Sequence, residues 1–137
     1  MKSFLWICCL TLACGSSLKL DEASEKKALI AADNWIKLVD DAQYGASWDT
    51  AADLFKKSLT KEKWEEMVKT VRDPLGKSVS RNVKSTEFKT SLPGSVDGEY
   101  LIITYTSSFE NKKESIETIV PMKDKDGEWR VSGYFIR

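Results

Sequence analysis

The stretch TKEKWEEMVKTVRDPLGKSVSRNVKSTEFKTSL (residues 60–92) changes its hydrophobic period half-way along, and that change decides the fold class. In its first part apolar residues recur at helical spacing behind Thr60, a residue type that caps helix N-termini. The residues of this stripe are Trp64, Met67, Val68 and Val71. The pair Asp73-Pro74 ends the helix, because proline disfavours the helical conformation of the residue before it. From Lys77 onward the period is two, which predicts β-strands.

Two further helices are predicted before this stretch, over residues 22–42 and 43–58. Asp21 or Ser24 is expected to cap the first of them. Its apolar stripe consists of Ala28, Leu29, Ala32, Trp35, Ile36 and Val39. The stripe of the second helix consists of Tyr44, Trp48, Ala51, Ala52 and Phe55. We expect both stripes to face the core.

Four strands follow. In the first, the alternation changes phase near Lys84-Ser85, which predicts a β-bulge that bends the sheet. Further strands are predicted at residues 100–109, 116–122 and 129–136, with a hairpin signal at Asp126-Gly127. The order of elements predicts an α+β domain over residues 22–137, with three N-terminal helices packed on a curved four-stranded antiparallel sheet. This architecture looks like the NTF2-like cone.

The N-terminus has the pattern of an export signal. Lys2 supplies a positive charge, and residues 4–13 contain no charged side chain. That run is too short to span a bilayer and has the length of a signal-peptide core. Small residues then cluster at the expected cleavage site. Residues 1–17 are therefore predicted to be a leader and tether, and the protein is expected to be exported to the periplasm or the outer membrane.

Cys14 ends this leader in the segment LTLACG (residues 10–15), which resembles a bacterial lipobox. In that motif the cysteine thiol receives a diacylglycerol. Ala13 fits the motif, whereas Thr11 and Leu12 depart from its usual residues. Two outcomes stay open: lipid attachment at Cys14, or cleavage beyond it that releases a domain with no anchor. Contact with a membrane is expected only through such a lipid.

Composition excludes several classes of function. Lysine plus arginine equals aspartate plus glutamate at 21 each, so no net charge attracts nucleic acid. The chain has no histidine, which removes the commonest general base and zinc ligand. Its three cysteines all lie before residue 18, so the domain has no thiol nucleophile. We expect neither a metal site nor a cofactor.

Several segments together resemble one protein family. They are AADNWIKLVDDAQYGASWDTAADLF, KEKW, VRDPLG, TSLPGSVDGEY and DKDGEWRVSGYFIR, spread over nearly all of residues 28–137. In this order they are similar to the bacterial DUF4019 family of small, mostly exported proteins. The resemblance implies a single exported domain and assigns no reaction.

A few residues are candidates for a site. Asp49 and Asp53, one turn apart on the second predicted helix, are weak candidates for a catalytic acid or base, with Tyr105 as a partner. Tyr44, Trp48 and Arg81 are candidates for ligand binding. The more common interpretation of each is structural: solvated carboxylates, core aromatic residues and an arginine that lies over the sheet.

Three functions therefore remain, the last of them a purely structural envelope protein with no cavity and a large exposed apolar patch. The first is an exported, non-enzymatic binding module of the cell envelope whose partner is a protein or a small apolar ligand. The alternative is a small-molecule isomerase or hydrolase that uses the carboxylates in its pocket. The direction of Asp49 and Asp53, into a cavity or into solvent, separates the first two.

Overall fold

The structure, a computed structural model, describes residues 18–137. The predicted leader, with Cys14, lies outside the described residues. Helices come first: α1 (Glu22–Asp40), α2 (Tyr44–Asp49), α3 (Asp53–Ser58) and α4 (Lys61–Arg72), followed by a 3-10 turn at Asp73–Leu75. The strands are β1 (Ser78–Lys89), β2 (Tyr100–Phe109), β3 (Lys112–Lys123) and β4 (Trp129–Ile136).

The strands form one antiparallel sheet in the order β1-β2-β3-β4, and the helices pack against it. This confirms the predicted α+β class.

Helix α1 follows its sequence pattern closely. The Asp21 side chain accepts a hydrogen bond from the backbone N–H of Ser24, so Asp21 is the cap. The buried residues of α1 are Ala28, Ala32, Trp35, Ile36 and Val39. Leu29 is only partly buried at the edge of the same cluster. The helix thus presents one apolar face to the sheet and fixes the position of Asp40, its last residue.

The second predicted helix is two short helices in the structure, so the prediction of one continuous helix over residues 43–58 was wrong. The chain is extended at Ala52, with φ −62° and ψ 152°. The N–H of Ala52 donates to the carbonyl oxygen of Val131 in β4 at 2.8 Å. Ala51 and Ala52 are completely buried, and their small side chains allow this close approach to the sheet. A hydrogen bond to β4 therefore replaces one within the helix.

Helix α4 begins after Thr60, whose hydroxyl accepts from the N–H of Lys63, and ends before Asp73-Pro74, as predicted. A 3-10 turn follows at this pair. Its buried face differs from the predicted stripe. Met67 and Val71 are about half exposed, and the side chain that follows Trp64 and Val68 into the interior is Arg72. A charged residue occupies the inner face at the C-terminal end of this helix.

The sheet has the predicted irregularity in β1. The pairing with β2 shifts between Val83 and Ser85, which confirms the β-bulge. The turn between β3 and β4 has Gly127 at φ +84°, a conformation that glycine adopts without strain. Strand β4 has the predicted bounds.

Aromatic side chains fill the space between the helices and the sheet. Trp35 and Trp64 lie 5.8 Å apart between ring centroids, and Phe55 and Tyr134 pack against both rings. Ser47, fully buried on α2, accepts a hydrogen bond from each indole N–H, one at its carbonyl and one at its hydroxyl. Between residues 18 and 137 no helix is long and apolar enough to cross a membrane.

Candidate functional site

A fully buried carboxylate lies at the centre of the interface between helices and sheet. Glu117 on β3 is 0% exposed, in the inward phase of its strand. Its oxygens accept hydrogen bonds from the hydroxyls of Ser107 on β2 and Tyr134 on β4, both at 2.5 Å. They also accept from Arg81 on β1, whose Nε lies 2.8 Å from Oε1. Strands β1, β2 and β4 thus each supply a hydrogen-bond donor to the carboxylate on β3.

Arg81 joins this carboxylate to a second one at the end of α1. Its terminal nitrogens donate to both oxygens of Asp40, at 2.8 and 3.1 Å. The guanidinium therefore bridges two acids, with one edge on Glu117 and the other on Asp40. Bidentate pairing of this kind is the strongest geometry for an arginine and a carboxylate. The bridge connects the sheet to the helical layer.

A second arginine completes the set. Arg72 at the end of α4 donates to Asp40 at 2.7 Å, and its guanidinium carbon lies 4.9 Å from the centre of the Phe109 ring. Only 5% of Arg72 is exposed. The Arg72–Asp40–Arg81–Glu117 chain, here called the ion network, has two positive and two negative side chains. Its charges therefore cancel in a largely buried region, with Asp40 the most exposed of the four side chains.

The pKa shifts follow from this arrangement. Burial raises the pKa of Asp40, but the hydrogen bonds from Arg81 and Arg72 outweigh burial and hold that pKa below its usual value. Burial, with the charge of Glu117 beside it, raises the pKa of Tyr134 far above its usual value. Tyr134 is thus a neutral hydroxyl at physiological pH and serves Glu117 as a donor.

A cleft of about 220 Å³ opens beside the network. Its lining includes Asp40 and Arg72, together with Tyr44 and Lys77 nearer the surface. The Tyr44 hydroxyl donates to Asp73 at 3.4 Å across the rim. Arg72 Nε is buried and has no hydrogen-bond partner within residues 18–137. Through Asp40 and Arg72, which line the cleft, the ion network therefore reaches the surface of the molecule.

The predicted ligand-binding residues are divided between the network and the core. Arg81 lies in the ion network, which was the less favoured interpretation of this residue. Tyr44 lies at the rim of the cleft. Trp48 packs against the core, and its indole N–H donates to the carbonyl oxygen of Leu59 at 2.8 Å. The polar group of Trp48 is thus used within the protein.

The three weak catalytic candidates do not come together. Asp49 ends α2 and Asp53 begins α3, so they share no helix face. Both are exposed, and they bond Lys61 and Lys56 respectively. Tyr105 is in the core instead, where burial raises the pKa of its phenol and its hydroxyl has no partner in the described part of the chain.

Sequence reasoning missed most of the ion network. The apolar stripe predicted for α1 ends at Val39 and leaves out Asp40, and the stripe predicted for α4 has Val71 instead of Arg72. Glu117 did carry a signal, because it lies between Ser115 and Ile119 in the inward phase of β3. A charged residue in that phase needs an internal partner, and Arg81 occupies the inward phase of β1. Residues 18–137 contain no group of three or more acidic, cysteine or histidine side chains able to hold a metal ion.

Removing the charge of Asp40 tests its role. The Asp40→Asn variant is expected to lose about 2 kcal/mol of unfolding free energy at neutral pH, because hydrogen bonds to a charged group contribute about 1.5–3 kcal/mol. The folded pKa of Asp40 lies below the 3.8 of a free aspartate, so its contribution is present above pH 3.8 and is lost as the pH falls through the folded value.

Urea unfolding measured from neutral pH downward checks this expectation. The difference between the native protein and Asp40→Asn should shrink once the pH falls below 3.8. Asp41→Asn, a change at the adjacent exposed residue, is the matched control and should follow the native protein throughout. A constant difference between the native protein and Asp40→Asn at every pH would contradict the role of the Asp40 charge.

Comparison with known proteins agrees with the segments noted in the sequence. No curated protein matches the chain. A family model described as a protein of unknown function, DUF4019, matches residues 31–134, a span that holds every residue of the ion network. The chain therefore belongs to the DUF4019 family.

Proposed function

We propose that this protein is an exported binding module of the bacterial cell envelope, held there by a lipid on Cys14, and that its partner binds at the cleft beside Arg72. The observation that carries the binding role is the buried Nε of Arg72, which has no hydrogen-bond partner among residues 18–137. Buried N–H groups in proteins nearly always have a hydrogen-bond partner. Arg72 also lines the cleft, so an acceptor oxygen that enters there would pair with this nitrogen once the neighbouring side chains shift to expose it.

The balance of charges also favours binding over catalysis. A general base needs a carboxylate that is free to accept a proton. Asp40 and Glu117 are each held by arginine, and the hydrogen bonds on Asp40 keep its pKa low. Asp40, which lines the cleft, therefore takes up a proton poorly and is better suited to holding Arg72 in place for a ligand.

The alternative, an isomerase or hydrolase with its carboxylates inside an NTF2-like cone, draws less support, because Asp49 and Asp53 face solvent beside lysines. A turnover that disappears in Asp49→Ala or Asp53→Ala would favour it.

The mass of the mature protein from its bacterial host tests the anchor. The expected N-terminus is an acylated Cys14, because the small residues around it suit lipid transfer. A Cys14→Ala variant should lose the acyl mass and leave the membrane fraction. A mature chain that begins beyond Cys14 would contradict the anchor while leaving export in place. A chain that retains residues 1–13 in the cytoplasm would contradict export as well.

Ligand-induced shifts in melting temperature test the cleft. A panel of small carboxylic acids, amides and envelope-derived sugars and peptides is added to the native protein and to Arg72→Lys, which keeps a positive charge but lacks Nε. We expect at least one compound to raise the melting temperature of the native protein and to shift the variant much less. A ligand at 100 times its dissociation constant stabilises the folded state by about 2.7 kcal/mol.

Lys57→Ala, a change on α3 away from the cleft lining, is the control and should respond to the compound like the native protein. Equal shifts in the native protein and Arg72→Lys would place the ligand elsewhere. No shift from any compound would contradict a small-molecule ligand in the cleft and would indicate that Arg72 Nε bonds an ordered water alone.

A further inference from the structure

The chain enters the domain at one end, through a residue close in sequence to Cys14. Leu20 belongs to the hydrophobic core and is almost fully buried, so the chain is fixed to the domain at that residue. It lies six residues after Cys14. Six residues span at most about 20 Å even when fully extended. A lipid on Cys14 would therefore hold this end of the domain, here called the anchor end, close to the bilayer.

The anchor end includes the C-terminal part of β1 and the loop after it. A groove of about 520 Å³ lies between Leu18 and Thr90, next to the point where the chain enters the core. The carbonyl oxygen of Thr90 accepts a hydrogen bond from the N–H of Gly98, which holds the β1–β2 loop at this end. Val96 lies in that loop and is 57% exposed.

The ion network lies at the opposite end. Near the start of α1, Glu25 accepts a hydrogen bond from Thr86 of β1 at 3.0 Å, and at the end of α1, Asp40 bonds Arg81. These two contacts show that α1 and β1 run side by side in opposite directions. Glu25 and Asp40 are separated by a rise of about 22 Å along the helix. The cleft beside Arg72 is thus displaced from the anchor end by most of the length of the domain.

The surface of the anchor end has exposed apolar side chains among charged side chains of both signs. Leu18 is 71% exposed, and Lys19 beside it is exposed as well. Val96 adds a second exposed apolar side chain at the same end. Apolar side chains flanked by lysine are common at the interface between lipid and water, because the side chain of lysine extends toward water while its stem covers apolar surface.

From these positions we infer that the anchor end, with Leu18, Lys19 and Val96, faces a phospholipid bilayer. The cleft beside Arg72 then points away from the membrane, so the partner that enters it is a water-borne molecule of the envelope space and not a membrane lipid. This inference rests on the lipid at Cys14 given under the proposed function. To that proposal it adds the face of the domain that meets the membrane and the side from which the partner approaches.

Site-specific fluorescence quenching by lipid tests the orientation. The chain has cysteines only at positions 8, 9 and 14, so an introduced cysteine would be the one free thiol of the mature acylated protein. Val96→Cys and Val71→Cys form a matched pair of exposed valines, the second next to Arg72 at the far end. Each variant is labelled with a fluorophore and placed in phosphatidylethanolamine–phosphatidylglycerol vesicles that carry brominated lipid.

We expect the label at position 96 to lose most of its fluorescence and the label at position 71 to lose almost none. Leu18→Cys provides a second anchor-end label should Val96→Cys fold poorly. Equal quenching at the two ends, no quenching at either end, or quenching at position 71 alone would overturn the orientation. The mass of the same sample separates the two proposals. A mass without acyl groups would contradict the lipid anchor itself. An acylated protein with equal quenching at the two positions would contradict only the orientation.

Discussion

The bridge that Arg81 makes between Asp40 and Glu117 is the interaction on which the rest of the structure depends. Glu117 has no access to water, and an isolated charge in such a place is very costly. Arg81 compensates that charge from β1, across the intervening β2, and extends to the last residue of α1. The helical layer and the sheet are therefore joined by a charged contact as well as by apolar packing. Arg72 balances the remaining charge and brings the end of α4 to the same point.

Much of the fold follows from local pattern. The cap at Asp21, the bulge between Val83 and Ser85 and the hairpin at Gly127 each depend on a few adjacent residues, and each was predictable. The break between α2 and α3 was not, because it depends on a hydrogen bond from Ala52 to Val131, 79 positions further along the chain. Local propensity favours helix there, and tertiary contact overrides it.

The candidate site was less predictable than the fold, for a related reason. Asp40 and Arg72 look solvated in their own segments, since charged residues are seldom buried alone, and the inward phase of Glu117 does not by itself identify its partners. Only the joint arrangement of Asp40, Arg72 and Glu117 around Arg81 makes their burial favourable. The network and the cleft beside it lie at the end of α1 that is remote from Leu20. The ion pairs that join the helices to the sheet therefore also border the cleft.

The unfolding free energy of Glu117→Gln is the most direct test of this account. The substitution keeps the shape of the side chain. It leaves the edge of the Arg81 guanidinium that faces residue 117 without a negatively charged partner. Removing one partner of a buried ion pair costs about 3–5 kcal/mol, a large share of the stability of a small domain. Glu114→Gln, at an exposed position on the same strand, should change little. We predict a loss of about 3 kcal/mol or more for Glu117→Gln. A loss as small as that of Glu114→Gln would contradict the central role of the bridge.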